Sequence, residues 1–338
     1  MRQVTCVSPG NIRCHDAPLP SRNHNEVMVK IKRIGVCGTD LHAVKGDQPY
    51  FTYPRVLGHE LAGEVTEAPP NSAFTSGEKV AVIPYLHCGH CIACRAGKTN
   101  CCVNMKVLGV HADGGMREWC SFPEHALIKA QGLSLDQLAL IEPLAISCHA
   151  VQRAAIRPGE FVMVVGTGPI GLGVLEWARM AGAKLIAVDV DTTRLQFCRR
   201  HLQISFVINP KEQDIEKELR MITAGDMPSV IIDATGNLNA LEQGFTCLAH
   251  GGRYVLVGLQ KNNISFNHPE FHKREGTLFC SRNATREDFA RVINAISAKQ
   301  LDPQYFITHR TDLVGLPASV EQWLQPGSGM IKAMVDIS

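Results

Sequence analysis

The sequence predicts an α/β protein of two domains, one rich in short strands and loops and one built on an open, mostly parallel sheet. Three observations carry that expectation. A chain of 338 residues is long for a single hydrophobic core. Its first part breaks into brief β-like runs separated by turn residues and interspersed with Cys, His and Glu. From Phe161 onward the pattern changes to short continuous apolar runs that alternate with helix-compatible stretches, as buried parallel strands and their crossovers do.

Composition narrows the function classes. With 45% hydrophobic and 20% charged residues the chain is ordinary for a soluble globular protein. The balance of 34 basic against 32 acidic side chains supplies no footprint for a nucleic acid or a membrane surface. The start, Met1-Arg2-Gln3-Val4-Thr5-Cys6, lacks the apolar core of a secretory signal. No run approaches the roughly 18 apolar residues of a membrane span. A cytoplasmic enzyme is the expectation, and in that compartment 13 cysteines read as metal ligands and free thiols rather than a disulfide framework.

Taken in order, Val27 to Ile34 mixes apolar and basic residues with a partial period of two, which suits a strand at the rim of an antiparallel sheet. It leads into Val36-Cys37-Gly38-Thr39-Asp40-Leu41-His42, where a soft ligand, a hydroxyl, a carboxylate and an imidazole stand within six residues. Leu57-Gly58-His59-Glu60 adds a second imidazole and carboxylate, and Glu142-Pro143 interrupts an apolar run with one more carboxylate. A lone Cys is usually a small buried hydrophobe and a lone His a satisfied core residue. A buried Glu, by contrast, needs a partner. Cys37, His59 and Glu142 are therefore candidate ligands of a catalytic zinc, a metal held by three protein ligands with one position left open. Shorter β-like pieces follow at Ala62 to Val65 and Lys79 to Ile83.

The spacing Cys88-x2-Cys91-x2-Cys94-x7-Cys102 places four thiols in one loop-rich stretch, as a structural zinc requires. An iron–sulfur cluster takes the same number of cysteines. Cys101 competes with Cys102 for the fourth position. A zinc ribbon that binds nucleic acid is the reading from a different class, and it is disfavoured: only Arg95, Lys98 and Lys106 are basic here, and no aromatic residue is interleaved to stack on bases.

Leu144 to Ala155 is helix-compatible, and Arg157-Pro158-Gly159-Glu160 makes a turn. Phe161 to Val165 reads as a buried strand, followed by Gly166-Thr167-Gly168-Pro169-Ile170-Gly171 and a helix closed by Gly182. A second apolar run, Leu185 to Val188, ends in Asp189, 18 positions beyond the last glycine of the motif. G-x-G-x-x-G alone is weak, but strand, helix, second strand and acidic residue complete a Rossmann dinucleotide-binding unit. The first two glycines let the backbone turn and approach a pyrophosphate at the helix N-terminus, and the third lets helix and strand pack closely. Asp189 can accept both ribose hydroxyl protons and repels a 2′-phosphate, which selects NAD; a nearby Arg194 could in principle meet such a phosphate.

Further strands are expected at Phe206 to Ile208, Val230 to Ala234, Tyr254 to Val257 and Thr277 to Cys280. Thr285 and Asp288 form a variant capping box for a helix whose apolar face is Phe289, Val292, Ile293 and Ile296. The tail to Ser338 returns to the first domain.

With these motifs in this order, the whole chain resembles the zinc-dependent medium-chain alcohol dehydrogenases, and Glu142-Pro143 is similar to the branch of sorbitol and threonine dehydrogenases. That resemblance implies a GroES-like, β-rich catalytic domain over 1–147 and 281–338, carrying the structural zinc lobe at 88–102, with a Rossmann domain over 148–280 and an active site in the cleft. It implies two zinc ions per chain, NAD, a small-molecule sugar acid or polyol as substrate, and a homodimer or homotetramer. It favours Cys102 over Cys101 as ligand. In this branch the Glu that follows the His can replace the later one, or the later one can bind through water, so Glu60 competes with Glu142 for the catalytic zinc. Thr39 and His42 are implied to relay the proton to solvent, Asp40 to hydrogen-bond His59 or nearby backbone, and Arg282 and Asn283 to reach the substrate.

Overall fold

The protein is described by a computed structural model that covers residues 1–49, 51–325 and 327–338. It divides into two compact units, Met1–Glu142 with Thr285–Ser338, and Pro143–Ala284.

The first unit is organised around the strand Glu26–Val36, in which Val27, Val29, Ile31, Ile34 and Val36 are buried. The sequence places this strand at a rim; in the structure it is central. It pairs antiparallel with Glu60–Glu67, with Trp119–Pro123 and with Lys332–Asp336. The basic residues that suggested a rim sit between the buried positions, and Arg33 is neutralised by Asp136 and Asp336 rather than by water alone. The sheet runs Leu127–Lys129, Lys79–Val82, Glu60–Glu67, Glu26–Val36, Lys332–Asp336, Ile307–Asp312. The strand Lys332–Asp336 thus lies beside Glu26–Val36, as the returning tail requires. One core, including Val29, Ile31, Leu61, Val80, Trp323 and Val335, fills this unit.

The second unit carries a six-stranded sheet in the order Phe206–Ile208, Lys184–Val188, Phe161–Val165, Val230–Asp233, Arg253–Leu256, Thr277–Cys280. Every neighbouring pair is parallel. Numbered within the unit the order is 3-2-1-4-5-6, the doubly wound arrangement whose ligand crevice opens at the carboxyl end of the first strand. The helix Pro169–Met180 follows that strand, with proline in its first turn where no backbone donor is lost. A Cβ on Gly171 would stand 1.8 Å from the carbonyl oxygen of Gly166, so the third glycine of the motif is required by contact. The helix C-cap is Ala181, and Gly182, at φ +80°, takes the left-handed position just beyond it.

The helix Ile141–Ala154 starts three residues before the expected Leu144, so Glu142 and Pro143 belong to its first turn. Proline at that depth blocks no intrahelical bond, which is why it does not delay the start. The helix Arg286–Ser297 opens on a complete capping box of Thr285 and Asp288. Among the described residues no helix is long and apolar enough to cross a membrane, and no cysteine is in a disulfide.

Candidate active site

Strand register assembles the first constellation. Glu26–Val36 ends immediately before Cys37, and Glu60–Glu67 begins immediately after His59; with Gly35 opposite Glu60, the two segments deliver their side chains to the same spot. The ligand atoms of Cys37, His59 and Glu60 all lie within 4.8 Å of one another. Gly35 is needed here, since a Cβ would stand 1.9 Å from Glu60 Oε2. Asp40, 2% exposed, locks the arrangement: its Oδ2 accepts the Cys37 N–H at 3.0 Å and its Oδ1 accepts the Gly58 N–H at 3.1 Å. Its Oδ1 is 3.8 Å from His59 Nδ1, too far for a direct hydrogen bond, so Asp40 holds backbone and adds negative charge beside the imidazole.

Glu142, the expected third ligand, is not in that group, which contains Glu60, the expected alternate. Glu60 follows His59 directly and is fixed by the strand it opens. Glu142 stands on a helix, with one carboxylate oxygen, Oε1, accepting the hydroxyl hydrogen of Tyr85. Its other oxygen, Oε2, is buried with no hydrogen-bond partner among the described residues. Burial pushes the Glu142 carboxyl up to about 7, with His59 and Lys332 opposing the rise and Glu60 adding to it. Lys332, 1% exposed, donates to both oxygens of Glu60 at 2.6 and 2.7 Å and to the carbonyl of Val36 at 3.2 Å.

The donor set fits zinc. A thiol, an imidazole and a carboxylate converge, and these are the ligand types of catalytic zinc sites. Burial disfavours a charged His59, yet Cys37 and Asp40 hold its pKa well above the ordinary value.

A second metal-binding group is formed by Cys88, Cys91, Cys94 and Cys102, whose sulfurs are likewise within 4.8 Å of one another; Cys101 is exposed and outside it. Backbone N–H groups of Cys94 and Val103 pull the Cys91 thiol down to about 6, while burial pushes the Cys94 thiol up to about 12.

Thr39 and His42 lie on the helix Gly38–Lys45 that follows Cys37. The His42 ring is largely exposed and its Nδ1 is 2.7 Å from Asp47 Oδ1.

In the second unit Asp189 lies against the glycine loop. Gly166 adopts φ +87°, and Gly168 is the extended N-cap of the helix whose first turn holds Pro169 and Ile170. Asp189 Oδ2 accepts the Thr167 N–H at 2.7 Å and the Thr167 hydroxyl at 2.9 Å, while Oδ1 accepts the Asp191 N–H at 2.9 Å. This buried carboxylate is thereby fixed at the mouth of the loop. Arg194 reaches back to it: its Nη1 is 3.7 Å from where a Cβ on Gly168 would stand. Arg282 and Asn283 follow the strand Thr277–Cys280; Arg282 is exposed and Asn283 adopts φ +52°.

Tyr85, Lys332 and Gly35 are contributors that sequence reasoning did not single out. Lys332 had a visible signal, a single charge inside the apolar run Ile331 to Val335. Tyr85 had none, since only the fold brings it to Glu142.

Residues 23–132 match the alcohol dehydrogenase GroES-like domain and residues 169–298 match the zinc-binding dehydrogenase family. The chain is 41% identical to L-galactonate-5-dehydrogenase of Escherichia coli (strain K12), over 99% of this chain and 98% of that protein. It is 29% identical to sorbitol dehydrogenase of Bacillus subtilis (strain 168), over 99% and 97%. Among solved structures, a short chain alcohol dehydrogenase (rspB) from E. coli CFT073, complexed with NADH, superposes with a TM-score of 0.93 at 28% identity, covering 100% of this chain and 99% of that one. The chain belongs to the zinc-binding, medium-chain alcohol dehydrogenases, with a GroES-like and a Rossmann-like domain. It is an oxidoreductase of that family.

Proposed function

We propose that the chain oxidises a secondary alcohol of an acyclic sugar acid, L-galactonate at C5, to the keto acid D-tagaturonate with NAD as hydride acceptor. The observation that carries this reading is the 41% identity, over nearly the full length of both chains, to a protein named for that reaction. The polyol reading has a weaker basis, 29% identity to a sorbitol dehydrogenase at similar coverage. L-Threonine, the substrate of the other enzyme in this branch, is the remaining alternative.

In this reading Cys37, His59 and Glu60 hold the catalytic zinc, and Cys88, Cys91, Cys94 and Cys102 hold the structural one. Bound there, zinc supplies a Lewis acid that lowers the pKa of the substrate hydroxyl, and NAD supplies the acceptor for the carbinol hydride. The chain's own residues do the rest. Asp40 keeps Cys37 and His59 in register through the backbone N–H groups of Cys37 and Gly58. Glu142, with one oxygen free, accepts a hydrogen bond from an O–H beside the metal group, and Thr39 and His42 pass the released proton to solvent. Gly166, Gly168, Pro169, Ile170 and Gly171 receive the pyrophosphate. Asp189 holds the adenosine ribose and disfavours NADP, with Arg194 alongside. Arg282 and Asn283 bind the substrate carboxylate or its hydroxyls, to which a guanidinium fork is suited.

Two coarser expectations belong to the same reading. The protein works in the cytoplasm. It forms a homodimer or homotetramer, for which the edge strand Thr277–Cys280, with Leu278 40% exposed, offers unpaired backbone to a second copy.

One experiment tests the proposal: kcat/KM for L-galactonate, sorbitol and L-threonine, each with NAD and NADP, in the wild type and in Arg282→Ala. L-Galactonate with NAD is expected to lead, and Arg282→Ala to lose about tenfold or more on L-galactonate while sparing sorbitol, as loss of a charged hydrogen bond would do. A wild type that favours sorbitol overturns the substrate. One that turns over faster with NADP overturns the role of Asp189.

A further inference from the structure

The second unit holds a carboxylate whose acceptor positions are nearly all taken by its own chain. Asp189 is 8% exposed, and Thr167, between the first two glycines of the loop, is 0% exposed. Oδ2 of Asp189 accepts twice from Thr167, from the backbone N–H at 2.7 Å and from the hydroxyl at 2.9 Å, and Oδ1 accepts the Asp191 N–H at 2.9 Å. A carboxylate offers about four acceptor positions over its two oxygens. Among the described residues, donors fill two positions on Oδ2 and one on Oδ1. The expectation that Asp189 takes both ribose hydroxyls needs two open positions, and a single one remains, on Oδ1. The Thr167 hydroxyl makes the difference. Backbone donors alone would hold each oxygen once and alike, whereas the hydroxyl adds a second bond to Oδ2 and makes the two oxygens unequal. The turn itself is supplied by Gly166 at φ +87°, and a valine at 167 would have the shape of threonine without the hydroxyl.

We infer that Thr167 is a positioning residue for the cofactor: its hydroxyl closes Oδ2 and leaves Asp189 one acceptor position, on Oδ1, for a single hydroxyl of the adenosine ribose. This rests on the reading that Asp189 holds the ribose of NAD. Selection against NADP follows from the same arrangement, because a 2′-phosphate brings negative charge and acceptors to a position that needs a donor. Without the Thr167 hydroxyl, Oδ2 becomes a buried carboxylate oxygen short of a bond, and the group turns or draws in water to replace it. Either change disturbs the oxygen that the ribose uses.

The test reads binding rather than turnover. Dissociation constants of NADH and NADPH are measured by nicotinamide fluorescence on the full-length, zinc-loaded enzyme in the wild type, Thr167→Val, Thr167→Ser, Asp189→Ala and the Thr167→Val, Asp189→Ala double variant. Thr167→Val should weaken NADH about tenfold, as loss of a hydrogen bond to a charged group does, and leave NADPH nearly unchanged. Thr167→Ser should restore NADH, and in the Asp189→Ala background Thr167→Val should have no further effect. An unchanged ratio of NADH to NADPH affinity in Thr167→Val, an equal weakening of both cofactors, or the same loss without Asp189 overturns the inference. NADH analogues lacking the 2′- or the 3′-hydroxyl of the adenosine ribose count the open positions. The loss caused by Asp189→Ala should shrink for one analogue only, and shrinkage for both overturns the single position. If Thr167→Val does not fold, Thr167→Ala, which keeps the backbone bond, must lower the affinity ratio in its place; an unchanged ratio there overturns the inference as well. An Asp189→Ala enzyme with the wild-type ratio would overturn the reading of Asp189 instead, so the two failures are distinguishable.

Discussion

The two metal-binding groups of this chain are built in opposite ways. Cys88, Cys91, Cys94 and Cys102 all come from one short stretch, carried on a four-residue helix, a 3-10 turn and the loops between them. Backbone N–H groups point at the sulfurs: Cys94 N–H reaches Cys91 Sγ at 3.5 Å, and Asn104 N–H reaches Cys102 Sγ at 3.3 Å. The Cys37, His59 and Glu60 group is assembled across a sheet, and the cation that balances Glu60 comes from a residue 272 positions away. A metal whose task is to close a loop can rely on local spacing. A site that must also leave room for substrate draws its residues from two separate segments, Cys37 from one and His59 with Glu60 from the other, with charge supplied from afar.

The largest expected effects separate the two groups by what each loses. Cys91→Ser should remove one zinc per chain and lower the melting temperature, because a structural zinc contributes folding energy directly. His59→Ala should leave the melting temperature close to that of the wild type. It should lower kcat on the order of a thousandfold or more, since Lewis-acid stabilisation is worth several kcal/mol. Metal analysis, thermal unfolding and steady-state rates on the two variants check this. Loss of stability in His59→Ala, or iron in the four-cysteine group, would contradict the division of labour.

Lys332 sharpens the comparison. It and Glu60 are a fully buried ion pair, with side chains 1% and 0% exposed. Removing one partner of such a pair typically costs about 3–5 kcal/mol, because the other charge is stranded. Lys332→Met should therefore destabilise the zinc-free protein by roughly that amount. The loss should be smaller once zinc is bound, because a divalent cation beside Glu60 compensates the same carboxylate. Denaturant unfolding with and without zinc gives the difference. An equal loss in both states would place Glu60 outside the metal's reach.

These contrasts also explain what could be read from sequence. The four-cysteine spacing and the Gly166 to Gly171 loop are local, so the residues that do the work are also the residues that form the pattern. Cys37, His59, Glu60 and Glu142 were visible as ligand types, but which carboxylate stands beside Cys37 and His59 was not. It depends on Gly35 lying opposite Glu60 and on Tyr85 reaching Glu142, both contacts between elements distant in the chain. Assignment of Glu26–Val36 to a rim failed for a related reason: its basic residues looked like a solvated edge, whereas Arg33 is partnered by Asp136 and Asp336. Charge in a strand marks exposure only when no opposite charge is folded onto it.

That same clasp gives the smallest and most local prediction. Arg33 Nε lies 2.9 Å from Asp136 Oδ1 and 2.8 Å from Asp336 Oδ1, and Arg310 bonds both aspartates from the neighbouring strand. Asp336 stands opposite Arg33 in the pairing that also sets Ala333 opposite Val36, so the clasp fixes the register that delivers Lys332 to Glu60. Burial alone would raise the Asp136 carboxyl, but hydrogen bonds from Arg310 and Arg33 outweigh it and hold the group below its ordinary value. A carboxyl depressed in the folded state adds stability above its unfolded pKa, and that stability is lost as pH falls through the folded value. Arg310 is about half exposed, so solvent and salt screen much of the attraction, and Asp136→Asn should cost only about 1 kcal/mol at neutral pH. The gap between wild type and Asp136→Asn should close as the pH is lowered past the range in which Asp136 protonates, and shrink with added salt. Zinc retention by the four-cysteine group should be unchanged in the variant. A stability gap that persists undiminished in acid would mean that Asp136 acts through packing at the head of its helix, not through the charges of Arg33 and Arg310.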